Sequence, residues 1–205
     1  MNLARGLFLT ISSILNLAFV VPYAYEILKG KVRPNRVSWF LWLMLGVASL
    51  LAVLQAGGRR EAVFNLFFVL CEAIVFLLVL FRGASGFSRV DAVALLGGLA
   101  SFVCLLVVGD PLWTLLAVVI TDLFGFLPTW LKSWRDPASE SLLTYSLALG
   151  GCLFGYLAAA DAALVYFIYP LYLTIGNAAL VAILFHRRRE TSISNGADAG
   201  KNLGR

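Results

Sequence analysis

Long apolar segments of membrane-crossing length constrain the fold of this chain more than any other feature. A helix needs about 20 mostly apolar residues to cross the hydrocarbon core of a bilayer. The chain of 205 residues is 61% hydrophobic and 13% charged, whereas soluble domains average roughly 25% charged residues. We therefore predict an all-α integral membrane protein with seven transmembrane helices. The predicted segments are 7–28, 37–56, 62–81, 91–109, 112–131, 141–159 and 163–185.

The sequence also contains two weakly similar halves. Asn16–Pro22 and Asp122–Pro128 each lead from a polar residue through leucine to a proline, and they lie 106 positions apart. A second match pairs Leu66–Arg82 with Leu171–Arg187, without gaps, at an offset of 105. Internal repeats of this kind are typical of transporters, in which the solute site lies where the repeats meet.

The repeat predicts how the helices are grouped. Three helices reverse the direction of the chain across the membrane and a fourth restores it, so both repeats insert in the same orientation. We therefore predict two parallel triple-helix bundles joined by a linker helix, a 3+1+3 arrangement. The predicted units are 7–81 for the first repeat, 91–109 for the linker transmembrane helix, 112–185 for the second repeat and 190–205 for a disordered cytoplasmic tail.

Basic residues predict the orientation of the chain. In the seven-helix arrangement, the loops and ends on one side carry 11 Lys and Arg residues before the tail, and those on the other side carry 3. Basic loops stay in the cytoplasm. We therefore predict a protein of the plasma membrane, or the bacterial inner membrane, with its N-terminus outside and its C-terminus in the cytoplasm.

The arrangement resembles the SWEET sugar-transporter and PQ-loop superfamily over roughly residues 7–187. The best local match is Pro128–Tyr145, where a proline precedes a short basic loop and Ser-Leu-Leu-x-Tyr opens the next helix. Asn177 lies where the family places a solute-contacting Asn on the third helix of a triplet. The resemblance implies facilitated or proton-coupled movement of a small solute, most commonly a sugar, by rocking of two triplets.

The sequence departs from the family pattern at several positions. The Pro-Gln pair of the PQ-loop proteins is replaced by Pro22-Tyr23 and by Pro128-Thr129. The solute-stacking Trp of the second helix has no clear counterpart, and Glu72 takes the place of the Asn in the first triplet. These departures leave an amino acid or a polyamine as plausible a solute as a sugar.

Two acids, Glu72 and Asp122, lie well inside apolar segments, and the repeat pairs them with Asn177 and Asn16. An intramembrane carboxylate costs about 2.5–3.5 kcal/mol or more and normally faces the bundle interior or a water-filled cavity. We therefore predict that these four side chains line one central solute-binding cavity. One acid, Glu72 by preference, would bind and release a proton or pair with a cationic solute. The alternative is a protonated carboxyl group that holds helices together.

Two further pairs are candidates for moving parts. Pro22 and Pro128 remove a backbone hydrogen bond from a helix and kink it, so they are predicted hinges, with a static kink as the alternative. Trp42 and Tyr145 match across the repeat near the predicted cytoplasmic side, and they are a candidate gate. The alternative for such aromatic residues is an anchor at the membrane interface.

The function predicted from these features is secondary transport of a small polar solute by alternating access. The alternative is a non-transporting receptor or accessory subunit with the same fold. Phosphate-binding glycine loops, metal-ligand spacings and activated nucleophiles are missing from the sequence, so we predict no enzymatic activity, no cofactor and no metal. The predicted partners are the solute, protons and the lipid bilayer, with a homo-oligomer as a candidate assembly and no nucleic acid.

Overall fold

The computed structural model describes residues 3–55, 57, 59–107, 110–159 and 164–203. Within these ranges the chain is helical and contains no strand, which confirms the predicted all-α class. The predicted segment ends at 56, 109 and 163 lie outside the described residues. The helices are α1 (Leu3–Ala18), α2 (Val20–Leu28), α3 (Arg36–Gln55), α4 (Arg59–Arg82), α5 (Arg89–Val107), α6 (Pro111–Arg135), α7 (Leu142–Ala158) and α8 (Leu164–Leu203), with a 3-10 turn at Pro137–Ser139.

Several of these helices are compatible with a membrane protein. Among the described residues, five stretches are long and apolar enough to cross a bilayer, and Leu142–Ala158 is a shorter apolar helix. Large apolar side chains such as Phe81, Leu96 and Val107 are exposed on the surface of the bundle, as expected where lipid covers a protein. The five stretches are Leu3–Leu28, Arg36–Gln55, Arg89–Val107, Leu112–Arg135 and Ile168–Ile193.

The two predicted hinge prolines have different local structures. Pro22 has no N–H group with which to bond the carbonyl of Ala18. The first predicted segment is divided next to this carbonyl, because α1 ends at Ala18 and α2 begins at Val20. The Tyr23 N–H still donates to the Phe19 carbonyl at 3.2 Å, so the break is confined to about one residue. Pro128 lies inside α6, which is continuous. The hinge role of both prolines remains a prediction.

The helix contacts fall into corresponding pairs. α3 packs against α4 as α7 packs against α8, and α2 packs against α4 as α6 packs against α8. Across the middle of the bundle, α1 lies on α7 and α6 lies on α3. This is the set of contacts expected if α1–α4 and α6–α8 were two similar units facing each other. The remaining helix, α5, packs against α6 and α3.

Two glycines allow α5 to approach its neighbours. An ideal Cβ on Gly97 would lie 2.3 Å from Phe124 Cζ, and one on Gly98 would lie 2.7 Å from Leu41 Cδ1. Both distances are far shorter than van der Waals contact. Small residues of this kind allow close packing between helices in membranes, so the glycine pair fixes where α5 lies.

Replacing Gly97 with alanine should destabilise the protein. The new methyl group would push against the Phe124 ring, and overpacking of this kind costs about 1–3 kcal/mol. We expect a lower midpoint of thermal unfolding for the purified protein. Leu96→Ala, on the exposed face of the same helix, is the control and should change the midpoint much less. An unchanged midpoint for Gly97→Ala would contradict the close packing of α5 on α6.

The last helix extends beyond the apolar segment. α8 continues through Leu203, and the disorder of the tail 190–205 remains a prediction. Polar side chains one turn apart support the helix where it leaves the apolar segment. His186 Nε2 lies 3.1 Å from Glu190 Oε1, and Arg187 also pairs with Glu190. Pairs at this spacing stabilise a helix, and a polar composition does not reveal them.

Candidate functional site

A cavity of about 320 Å³ lies at the centre of the bundle, with walls from both halves of the chain. All four predicted solute-site residues line it, namely Asn16 of α1, Glu72 of α4, Asp122 of α6 and Asn177 of α8. The structure thus brings these four side chains together; their role in binding remains a prediction. Trp42, Tyr145 and the following residues complete the lining: Ser12, Phe19, Trp39, Phe68, Cys71, Phe126, Thr144, Ala148, Gly151, Cys152, Gly155, Tyr169, Pro170 and Leu173.

Each of the two acids has an oxygen atom without a protein partner. Asp122 is 3% exposed, and the Tyr172 hydroxyl and the Trp42 indole lie beside its carboxyl group, whereas its Oδ2 accepts no hydrogen bond from the described residues. The same holds for the buried Oε2 of Glu72. Removing a carboxyl group from water without replacing its hydrogen bonds is costly. One oxygen of each acid on this cavity is therefore left without a hydrogen-bond donor among the described residues.

A glycine provides the space for the Glu72 carboxyl group. An ideal Cβ on Gly46 of α3 would lie only 2.0 Å from Glu72 Oε2. No residue other than glycine fits at position 46 unless the carboxyl group moves. The position of this acid is therefore fixed by the contact between α3 and α4.

The two amides are held by bonds within the protein. Asn177 Nδ2 donates to the Leu173 carbonyl at 2.9 Å and lies 3.6 Å from Cys152 Sγ. Asn16 Nδ2 lies 3.4 Å from Ser12 Oγ. The Asn16 side chain also packs on Gly151, where an added Cβ would lie 2.5 Å away. The nitrogen atoms of both amides are thus engaged, whereas the two carboxyl oxygens, Trp39 Nε1 and Thr144 Oγ1 have no hydrogen-bond partner among the described residues that line this cavity.

Aromatic rings form much of the remaining wall. Trp42 packs edge-on against Phe126 with ring centroids 5.3 Å apart, and against Trp39 at 5.2 Å. Tyr169 and Tyr172 stack at 6.2 Å, and Tyr172 also contacts Phe126. Trp42, a predicted gate residue, is therefore part of a continuous aromatic cluster beside the acids.

A second cavity, of about 890 Å³, continues from the central one towards one end of the bundle. It reaches Gln55, Leu106 and Thr114, which lie where α3 and α5 end and where α6 begins. The central cavity is therefore accessible from this end. The two cavities share the residues Trp42, Phe68, Glu72, Asp122 and Tyr169.

A buried cluster of polar side chains closes the opposite end. Glu140 is fully buried; its Oε1 pairs with Lys132 Nζ at 2.6 Å, and its Oε2 accepts a hydrogen bond from the Tyr23 hydroxyl at 2.6 Å. The Tyr145 hydroxyl lies 3.4 Å from that of Tyr23. We call these four residues the Glu140 cluster. Because Tyr23 lies on α2 and the other three on or between α6 and α7, the cluster joins the two halves.

Further contacts hold the same end together. The Thr129 hydroxyl donates to Ser38 Oγ at 2.8 Å, and both side chains are fully buried between α6 and α3. The Arg33 N–H donates to the Ser139 carbonyl at 2.9 Å, joining the loop after α2 to the 3-10 turn. The central cavity is therefore reached from one end and closed at the other.

Sequence reasoning missed several of these residues. Glu140 and Lys132 were treated only as loop charges, although their spacing of eight residues across a short loop was visible. Pro170, a third proline inside an apolar segment, lines the central cavity. Gly46 provides space for the Glu72 side chain of α4, and this contact between two helices could not be predicted from the sequence around Gly46.

Comparison with known proteins adds no further assignment. The sequence matches no protein-family model, and comparison with the curated proteins and with the solved structures gave no match. The resemblance to the SWEET and PQ-loop superfamily therefore rests on the residues quoted above. The chemistry of the site has to be argued from its own geometry.

Proposed function

We propose that this chain is an integral membrane transporter that moves a small polar solute by alternating access. The observation that carries the proposal is the central cavity, because both halves contribute polar side chains to it. The central cavity is reached from one end of the bundle, whereas the Glu140 cluster closes the other end. A transporter needs such a site between two units that can open in turn to either side.

The proposed architecture is the SWEET-like 3+1+3 arrangement of seven transmembrane helices, with α1 and α2 together forming the first. The corresponding helix contacts of the two halves support it, as do the sequence repeats. In this arrangement α5 is the linker helix. The basic residues near the Glu140 cluster support an orientation with that end in the cytoplasm and the N-terminus outside. The structure then corresponds to an outward-accessible state.

The proposed cycle exchanges one closed end for the other. Opening towards the cytoplasm requires the Glu140 cluster to separate, so that water replaces the Lys132 and Tyr23 contacts of the Glu140 carboxylate. Closing the outer end requires α3, α5 and α6 to come together around the larger cavity. Pro22 and Pro128 are the proposed hinges, and Pro22 already lies next to a break between helices.

Transport by the purified full-length chain in liposomes tests the proposal. We expect uptake of at least one member of a panel of sugars, amino acids, polyamines and small organic acids, above the rate in protein-free liposomes. The same panel, tested for thermal stabilisation, reports binding separately. Binding without uptake would favour the rival reading, a receptor or accessory subunit that uses the same fold.

Proton coupling through Glu72 gives a further test. If Glu72 binds and releases a proton in each cycle, the uptake rate should change between pH 5.5 and pH 7.5, and Glu72→Gln should remove this dependence. Asp122 lines the same cavity, so Asp122→Asn is measured in parallel. Asp91→Asn is the control, because Asp91 is buried outside the central cavity and is bound by Asn35 and Ser88. An unchanged pH dependence in Glu72→Gln would exclude Glu72 from coupling.

A further inference from the structure

We infer that the solute carries a positively charged nitrogen, which the Glu72 and Asp122 carboxylates bind beside the aromatic wall of the central cavity. This inference rests on the proposed function and names the class of solute. The two acids alone would not carry it. The deciding observation is that Asp122, at 3% exposure, lines a cavity large enough for a ligand and keeps one carboxyl oxygen to which no described residue donates a hydrogen bond.

The charge of the cavity favours a cation. Its described lining contains two acids and no Lys or Arg. None of the ion pairs in the described part of the chain involves Glu72 or Asp122. An ammonium or guanidinium group would supply both the missing hydrogen-bond donors and the missing positive charge. A neutral polyol would supply the hydrogen-bond donors without the positive charge. An anion would supply neither the donors nor the positive charge.

The aromatic wall suits the same group. The faces of aromatic rings attract cations, with an effect of about 0.5–2 kcal/mol when the site is desolvated. Trp42, Phe126 and Tyr169 line the central cavity together with the acids. An alkylammonium or guanidinium group presents polar N–H bonds to carboxylates and a flat or apolar surface to such rings. The combination of carboxylates and rings therefore matches one chemical class.

The size of the cavity limits the solute. At about 30 Å³ for each water-sized group, a volume of 320 Å³ accommodates about ten such groups. A short polyamine falls within this limit, and a basic amino acid is close to it. A folded peptide or a nucleotide does not.

Matched pairs of ligands test the charge requirement directly. Butylguanidinium and butylurea have nearly the same shape, and only butylguanidinium carries a positive charge; putrescine and 1,4-butanediol form a second pair. Affinities are measured on the purified full-length chain from concentration-dependent thermal stabilisation. We expect the charged member of at least one pair to bind tenfold or more tightly than its neutral partner. Asp122→Asn should reduce this preference at least tenfold, and Asp91→Asn should leave it unchanged.

The outcomes separate this inference from the proposed function. Equal affinity within both pairs, or silence for all four compounds, would overturn the cationic solute, and uptake of a neutral solute would then leave transport standing. Binding of a charged compound without its uptake into liposomes would instead contradict transport. If Asp122→Asn does not fold, Glu72→Gln is used for the same comparison of charged and neutral ligands. The comparison within each pair on the wild-type protein needs no variant.

Discussion

Replacing Lys132 with methionine is expected to open the end of the bundle that the Glu140 cluster closes. In the closed state the substitution leaves the fully buried Glu140 carboxylate without its ion-pair partner. In the open state water hydrates the carboxylate, so the substitution destabilises the closed state selectively. Removing one partner of a buried pair costs about 3–5 kcal/mol. Because 17% of the Lys132 side chain is exposed, we expect a cost nearer 3 kcal/mol, roughly a hundredfold shift from closed to open molecules.

Distances between spin labels measure this shift. Arg33 and Ala138 are exposed positions on the two sides of the closed end, and labels there should move apart in Lys132→Met. The double variant Lys132→Met with Glu140→Gln is the matched control. It removes the unpaired charge and keeps an acceptor for Tyr23, so it should recover part of the closed population. Identical distance distributions in wild type and Lys132→Met would show that the cluster does not hold this end closed.

Replacing Gly46 with alanine should inactivate the protein without unfolding it. The added Cβ would lie 2.0 Å from Glu72 Oε2, so the carboxyl group must move. The contact is with the end of a flexible side chain, and therefore the fold should adjust at little cost. Binding at the central cavity should nevertheless fall about 10- to 100-fold, since a hydrogen bond to a charged group contributes about 1.5–3 kcal/mol. Solute affinity and thermal midpoint are measured on the same preparation.

Gly150→Ala is the control for this substitution. Gly150 lies in α7 outside the central cavity, and an ideal Cβ there would meet only the terminal methyl group of Leu15, at 3.1 Å. We expect affinity close to that of wild type. Full solute affinity in Gly46→Ala would show that the observed position of Glu72 is not needed for binding.

The candidate site was predictable from sequence because polar groups are costly inside apolar segments. Glu72 and Asp122 had no favourable place on a lipid-facing surface, and the repeat paired them with Asn177 and Asn16. All four line one cavity in the structure. The helical class followed from the same physics, because a chain this apolar must satisfy its backbone hydrogen bonds within each segment.

The remaining features depend on contacts that local sequence does not encode. Glu140 is buried because Tyr23, 117 positions earlier, donates to its carboxylate, and its sequence context indicated only a polar loop. Pro22 follows a break between helices by three residues, whereas Pro128 lies inside a continuous helix, although both occupy matching positions in the repeat. The sequence alone treats the two prolines alike.

Alternating access is the central claim, and Cys152 provides its most direct test. Cys152 is a free thiol on the wall of the central cavity. With Cys71 and Cys104 replaced by serine, a membrane-impermeant thiol reagent is applied to either side of right-side-out and inside-out vesicles. The account predicts modification of Cys152 from both sides, slowed in each case by bound solute. Modification from one side alone would contradict alternating access and indicate a fixed binding pocket.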